Sequence, residues 1–99
     1  MKPIDRDSPD SPLRHLRLEA TGGELVFQIT SDLKNRTIHV VRTLRDSAGQ
    51  EHEMASGFAT LERALQWIDA DPARFDHPRL MLELKEVIRG LFEHFASVN

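Results

Sequence analysis

The five histidines are the side chains in this sequence best suited to holding a metal ion. A zinc site needs three or four ligands, and helical sites commonly take two of them at a spacing of three or four residues. No His-x₃-His or Glu-x-x-His pair occurs in the chain. His15 and His39 share a face of the predicted sheet, but a strand separates them by about 10 Å. The sequence therefore predicts no metal site and no cofactor.

A catalytic nucleophile or a phosphate-binding loop would need its own local motif. Ser56-Gly57 does not lie within a G-x-S-x-G elbow, and Ser47 is surrounded by turn residues. The chain contains no cysteine. Its glycines are expected in hairpins and at a strand end, and none forms a strand-to-helix phosphate loop. These observations predict that the protein is not an enzyme.

Glu51 and Glu53 come closest to a pair of catalytic carboxylates. Both are expected on the outward face of the sheet, where the predicted register sets Glu51 beside Arg45. A solvated salt bridge between neighbouring strands explains this arrangement better than the acid–base chemistry of two paired carboxylates.

The outward face of the predicted sheet carries a group of side chains typical of an interaction surface. Val26, Val41 and Ala55 are expected side by side on neighbouring strands, with Arg17 and Arg45 among the charged residues around them. A small apolar centre with a charged rim resembles a protein-binding patch. Valines are also common on the exposed faces of strands, so ordinary strand surface is the alternative interpretation.

Three large apolar side chains lie outside the narrow apolar stripes of the predicted helices. Trp67 is expected away from the apolar side of its helix, where it packs on a neighbouring helix or on Phe75, or anchors a partner. Met81 and Phe92 extend the apolar arc of the last helix to roughly 140°, wider than one sheet needs. Either helix 60–69 or a second copy of the protein covers this excess.

Alternating apolar and polar residues predict the strands that position these side chains. Residues 14–20 and 25–30 alternate with the period of two typical of half-buried strands. The Gly-Gly pair at 22–23 suits a tight hairpin loop with positive φ, and that loop would pair Leu18 with Phe27.

A third strand is predicted from Thr37 to Arg45. A four-residue loop at 32–35 would pair Ile29 with Ile38 and keep apolar residues opposite each other. Arg42 interrupts the apolar face near one end of the sheet, where its head is expected to reach water along an apolar stem.

The turn at 46–49 allows two registers for the fourth strand. A type I turn ending in a left-handed glycine adds a bulge and pairs Leu44 with His52, which keeps Met54 and Phe58 on the interior face. A simple two-residue connection would set Leu44 opposite a glutamate and mix the two faces of the sheet. The bulged turn is therefore predicted.

Two helices follow the sheet. Thr60 is a suitable N-cap for the first, which is expected to end near Pro72. A short turn at 72–75 is expected next, and a longer helix follows from residue 78 to about residue 96. The predicted fold class is α+β, with a four-stranded antiparallel β-meander followed by two C-terminal helices packed on one face.

Length and composition place few further limits on the chain. Its 99 residues suit one domain, expected at 13–99 after a disordered tail at 1–12 that contains three prolines. The tail lacks the apolar centre of a signal peptide, and no apolar run is long enough to cross a membrane. We therefore expect a cytoplasmic protein with no membrane contact, and its compact size and lack of cysteine suggest a bacterial or phage type.

Charge argues against a general nucleic-acid binder. The net charge is −3, and residues 47–99 contain five Lys/Arg against nine Asp/Glu. Nucleic acids bind mainly through Lys and Arg that neutralise phosphates. The leading hypothesis is a small protein-interaction or regulatory module, expected to be homodimeric because the outer strands have neither lysine nor internal proline to discourage edge pairing. Its partner is unknown.

Two other functions are compatible with the sequence. Sheet-and-helix proteins of this general arrangement include single-strand nucleic-acid binders, and the outward face offers Arg17, Arg45 and His39. A small-ligand binder or enzyme would instead use a pocket between sheet and helices. There Arg42, placed among apolar side chains, would need an anion, with His52 and Glu24 nearby.

Overall fold

The computed structural model describes residues 13–98, and these form an antiparallel sheet followed by helices. The strands are β1 (Leu13–Glu19), β2 (Leu25–Asp32), β3 (Thr37–Arg45) and β4 (Glu51–Phe58). They lie in the order β1-β2-β3-β4, so each strand pairs with its neighbour in the chain. The predicted α+β meander is confirmed. The predicted tail at 1–12 lies outside the described residues.

The first hairpin has the predicted register. Leu18 pairs with Phe27 and Leu16 with Ile29. Gly23 has a φ of 74°, a left-handed conformation that glycine adopts without steric cost. The Gly-Gly turn therefore aligns the apolar faces of β1 and β2.

The second hairpin differs from the predicted register by two residues. Ile29 pairs with Val40 instead of Ile38, because the loop occupies residues 33–36 instead of 32–35. Asp32 stays in the strand and accepts hydrogen bonds from the backbone N and the side-chain amide of Asn35 at 3.1 and 2.6 Å. The same contacts hold the pKa of Asp32 below its ordinary value. A shift of two residues leaves every side chain on its predicted face.

The third hairpin confirms the bulged turn. Gly49 has a φ of 85°, and Leu44 pairs with His52 as predicted. Asp46 Oδ1 accepts hydrogen bonds from the backbone N–H groups of Ala48 and Gln50, both at 2.9 Å. Asp46 Oδ2 lies 2.9 Å from His52 Nε2. One carboxylate thus organises the whole connection between β3 and β4.

Three helices follow the sheet: α1 (Leu61–Asp69), the single-turn α2 (Ala73–Asp76) and α3 (Pro78–Ser97). Thr60 caps α1 by accepting a hydrogen bond from the Arg63 N–H at 3.3 Å. The predicted turn near 72–75 is thus a helical turn. No helix among residues 13–98 has the length and apolar character that crossing a membrane would require.

The core lies between one face of the sheet and helices α1 and α3. Its fully buried large side chains are Leu25, Phe27, Ile29, Ile38, Val40, Ile68, Leu84 and Ile88. The helices leave part of that sheet face uncovered. Met54 on β4 is 55% exposed and Leu16 on β1 is 41% exposed. The expectation that Met54 lines the interior is therefore wrong, because no helix covers the first half of β4.

Candidate protein interface

The sheet face opposite the helices, which we call the outward face, is covered by no described element. Side chains lie across it in rows set by the strand registers: Glu19-Val26-Thr43-Glu53, Arg17-Gln28-Val41-Ala55 and His15-Thr30-His39-Gly57. Most of these residues are exposed or half-buried. The predicted candidate face therefore exists as a surface.

The small apolar centre of this face is less continuous than the sequence indicated. Val41 does lie opposite Ala55 on β4, but its neighbour on β2 is Gln28. Val26 lies opposite Thr43. The two-residue difference between the predicted and observed β2–β3 registers causes this change. Val26 and Val41 are diagonal neighbours, and the patch mixes apolar and uncharged polar side chains.

A shallow depression at one end of the outward face contains most of its charge. It is lined by Arg17, Glu19, Gly23, Glu24, Val26, Gln28, Thr43, Arg45, Glu51 and Glu53. Its lining thus includes two arginines and four glutamates, which gives this depression a formal charge of −2. We call it the acidic depression.

Both arginines of the acidic depression are already paired. Arg17 Nη2 lies 3.3 Å from Glu19 Oε2, and Arg45 Nη2 lies 3.2 Å from Glu51 Oε1. The Arg45–Glu51 pair was predicted from the register. All four side chains are more than half exposed, so these pairs are screened by solvent and contribute little stability. Because Glu19 and Glu51 neutralise the two arginines, the net negative charge of the depression comes from Glu24 and Glu53.

The histidine row of the outward face forms no metal site. His15 Nδ1 lies 3.1 Å from Thr30 Oγ1. The His39 ring lies over Gly57, since a Cβ atom built there would come within 3.0 Å of His39 Nδ1. Among residues 13–98 no three metal-ligating side chains come together.

Trp67 packs into the core from its half-buried position on α1. Its ring centroid lies 6.3 Å from that of Phe27 in an edge-on arrangement and 5.5 Å from that of Phe58. Both contacts are with the sheet, whereas the sequence indicated a neighbouring helix or Phe75. Phe75 is instead 73% exposed, with the Arg74 guanidinium 4.7 Å from its ring centroid. Trp67 is therefore a packing residue and does not belong to the outward face.

Met81 and Phe92 are also absent from the outward face. Met81 is only 3% exposed and belongs to the core. Phe92 is half-buried, and its ring packs edge-on against Phe95 at 5.6 Å. Met81 therefore offers no free interaction surface, contrary to the expectation, and Phe92 packs in part against the core.

Arg42 is the residue whose environment sequence reasoning missed. Its head group is bound by a carboxylate instead of extending into water. Its Nε and Nη2 donate hydrogen bonds to the two carboxylate oxygens of Asp71 at 2.6 and 2.9 Å, and the side chains are 13% and 5% exposed. Asp71 therefore supplies the anion that the pocket hypothesis assigned to a ligand. His52 and Glu24 contact other residues, Asp46 and His77 respectively.

The alternation of hydrogen-bonded and non-hydrogen-bonded pairs along β3 and β4 identifies which backbone groups of β4 are free. The Asp46 N–H donates to Gln50 O at 2.9 Å, and hydrogen-bonded pairs alternate along an antiparallel ladder. His52, Met54 and Ser56 therefore bond to β3. The residues that alternate with them point their N–H and C=O groups away from β3. We call these four residues the free edge of β4: Glu51, Glu53, Ala55 and Gly57.

The part of the chain that the structure describes thus offers contact surfaces and no cluster of three metal-ligating side chains. The predicted residues Val26, Val41, Ala55, Arg17 and Arg45 lie on one surface, whereas Trp67, Met81 and Phe92 pack elsewhere. Comparisons of the chain with protein-family models, with curated proteins and with solved structures give no match.

Proposed function

We propose that this protein is a small non-enzymatic interaction module whose outward face binds a protein surface rich in Lys and Arg. The observation that carries the proposal is the composition of the acidic depression, with two arginines and four glutamates beside half-buried Val26. A partner with basic side chains would complement the charge, and its apolar groups would contact Val26 and Val41.

The positions of the glutamates favour a basic partner. Glu19 and Glu51 each pair with an arginine, and Glu24 lies 3.4 Å from His77. Glu53 is opposite Thr43 and has no ion pair among the described residues. Lysine or arginine from a partner would therefore meet Glu53 first, at the exposed side of the depression.

The same surface fits a nucleic acid poorly. Its rows contain no phenylalanine or tryptophan on which bases could stack. The excess of carboxylates in the acidic depression would repel phosphates. The single-strand nucleic-acid hypothesis therefore remains the weaker alternative.

We also infer that the module is a homodimer and that it acts in the cytoplasm. The chain has no cysteine, so it needs no oxidising compartment for disulfide formation, which is compatible with the cytoplasm. The free edge of β4 is exposed and suits association through backbone hydrogen bonds. Size-exclusion chromatography with light scattering across a range of concentrations tests the dimer.

A pair of charge-reversed peptides tests partner binding. Amide chemical shifts of the ¹⁵N-labelled full chain would be followed during titration with a peptide of alternating Lys and Leu and with a matched Glu/Leu peptide. We expect the basic peptide to shift the amides of Val26, Thr43 and Glu53, and the acidic peptide to leave them unchanged.

Glu53→Gln is expected to weaken this binding, while Glu86→Gln on the exposed side of α3 serves as the matched control. Equal effects of the two substitutions, or shifts centred on the helices, would contradict the proposal. Shifts of the same amides with a single-stranded oligonucleotide, but not with the basic peptide, would support nucleic-acid binding instead.

A further inference from the structure

We propose that two copies of this chain form a symmetric dimer by antiparallel pairing of their β4 strands, with Met54 at the two-fold axis. The two sheets would then form one continuous eight-stranded sheet. This inference rests on the proposed homodimer and is independent of partner binding at the outward face.

Backbone geometry selects the register of this pairing. The free edge of β4 has four residues with outward-pointing N–H and C=O groups, spaced two apart. An antiparallel pairing uses all four only when Glu51 lies opposite Gly57 of the second copy and Glu53 lies opposite Ala55. Each such pair exchanges two hydrogen bonds, so the interface gains about eight of them. Any other register leaves some of these groups unpaired.

The same register buries the exposed apolar side chain of β4. Met54, which is 55% exposed on the helix side of the sheet, comes directly opposite Met54 of the second copy. His52 comes opposite Ser56. These are non-hydrogen-bonded positions, where opposite Cα atoms are about 4.5 Å apart and side chains are close. The dimer therefore covers a methionine that the monomer leaves in water.

In this register no two like-charged side chains lie directly opposite each other. Glu51 faces Gly57, which has no side chain, and Glu53 faces the small side chain of Ala55. The two copies of Glu53 are diagonal neighbours, about 7–8 Å apart. Their repulsion is weak because they are exposed, and added salt screens it.

The fold leaves room for a second copy at this edge. Residues 51–55 are exposed on both faces of the sheet. An open groove lies between the other half of β4 and α1, lined by Ser56, Gly57, Phe58, Ala59, Thr60, Arg63, Gln66 and Trp67. The register brings His52 of the second copy opposite Ser56, at the mouth of this groove. The groove thus offers space for the His52 side chain of the second copy beside Ser56.

The opposite edge of the sheet is less suited to self-pairing. β1 contains Arg14, His15 and Arg17 within four residues. The registers that pair most of β1 set Arg17 opposite Arg17, Arg17 opposite His15, or His15 opposite His15 of the second copy. Directly opposed like charges destabilise a strand pair. The Arg17–Arg17 register is therefore disfavoured, and the other two oppose like charges only when His15 is protonated, whereas the β4 register sets no like charges directly opposite each other.

Disulfide trapping tests the inference, because the native chain contains no cysteine. Met54→Cys places two thiols opposite each other at a Cα separation within the range that disulfides require. We expect this variant to form a covalent dimer on mild oxidation, detected by non-reducing electrophoresis and mass spectrometry. Leu16→Cys on β1 and Leu82→Cys on α3, at positions 41% and 58% exposed, are the matched controls and are expected to form no covalent dimer.

Ala55→Pro supplies a second measurement. The Ala55 N–H points away from β3, so proline removes a hydrogen bond of the dimer and none within the monomer. We expect Ala55→Pro to lose the dimer in light scattering while circular dichroism retains the native spectrum. Ala55→Ser keeps the N–H and is expected to keep the dimer. Added sodium chloride should raise the dimer fraction of the native chain.

The outcomes separate this inference from the proposals it extends. A native chain that stays monomeric at every concentration would overturn both the homodimer and the β4 interface. A dimer that is trapped through Leu16→Cys but not through Met54→Cys would overturn the β4 interface alone. A series of larger species would show head-to-tail pairing of β1 with β4, which also contradicts the symmetric dimer.

Discussion

Arg42 on β3 and Asp71 before α2 join the sheet to the helical layer through a bidentate ion pair, with donor–acceptor distances of 2.6 and 2.9 Å. Asp71 Oδ1 also accepts a hydrogen bond from the Ala73 N–H at 2.9 Å. Both side chains are mostly buried, at 13% and 5% exposed. The pair therefore fixes the turn between α1 and α2 against one particular residue of the sheet.

Removing either partner of this ion pair should strongly destabilise the protein. Asp71→Ala leaves the Arg42 guanidinium buried without a counter-ion, and such losses cost about 3–5 kcal/mol. Urea denaturation of the native chain and the variant measures the change in the free energy of unfolding.

Arg42→Met is expected to have a comparable effect, because it leaves the Asp71 carboxylate unpaired. The double variant Arg42→Met/Asp71→Ala should lose less than the sum of the single variants, since neither charge then remains buried alone. Strict additivity would show that the two side chains do not depend on each other.

Gly49 and Gly57 should respond in opposite ways to alanine. Gly49 has a φ of 85°, and a residue with a Cβ in that left-handed region costs about 1–2 kcal/mol. Gly57 has no φ in the left-handed region, and the only contact of an added Cβ is the exposed His39 ring, at 3.0 Å. Because that ring can rotate away, we expect Gly57→Ala to change stability by less than about 0.5 kcal/mol. Thermal unfolding at one low protein concentration compares the variants.

Trp67 should contribute to stability as a core residue does. Trp67→Ala removes the ring that contacts Phe27 and Phe58, and we expect a loss of about 3–5 kcal/mol. Phe75→Ala is the matched control, because that ring is 73% exposed and its loss should be small. Circular dichroism is the readout, since the substitution removes the only tryptophan. A near-neutral Trp67→Ala would contradict the packing role.

The β3–β4 turn should weaken in acid. Hydrogen bonding to His52, followed by the backbone N–H groups of Gln50 and Ala48, lowers the pKa of Asp46 below its ordinary value of 3.8. The unfolded chain therefore binds the proton more readily than the folded one. The stabilisation from ionised Asp46 is complete above the unfolded pKa and is lost as the pH falls through the lower folded pKa.

Carboxyl chemical shifts recorded during an acid titration measure this pKa directly. His52→Ala is expected to raise the pKa of Asp46 toward 3.8 because it removes the largest cause of the shift. Asp32 is the internal control, since Asn35 lowers its pKa and His52 is not involved. An Asp46 pKa that does not move in His52→Ala would contradict this assignment.

Local patterns predicted much of the sheet. The period of two assigned each strand residue to a face, and the glycines at 23 and 49 specified the first and third hairpins, both of which have the predicted register. The second hairpin has no glycine in its loop. Its positive φ falls on Arg36, and the side chain of Asp32 decides where the turn begins, which a hydrophobic pattern does not record.

The sequence likewise predicted the outward face only in part. Alternation within each strand, combined with the predicted turns, placed Val26, Val41, Ala55, Arg17 and Arg45 on one face. Which of them are neighbours depended on the β2–β3 register. The composition of the acidic depression could therefore be read from the sequence in part, but its geometry could not.

The sequence by itself determined the faces of the sheet, the two glycine-containing turns and the start of the first helix, because each depends on a few adjacent residues. Only the tertiary structure decided that Arg42 meets Asp71, 29 positions away, that Trp67 packs on the sheet, and that Met54 lies in water. These outcomes depend on where α1 ends and how far the helices extend over the strands, and no local pattern specifies that overlap.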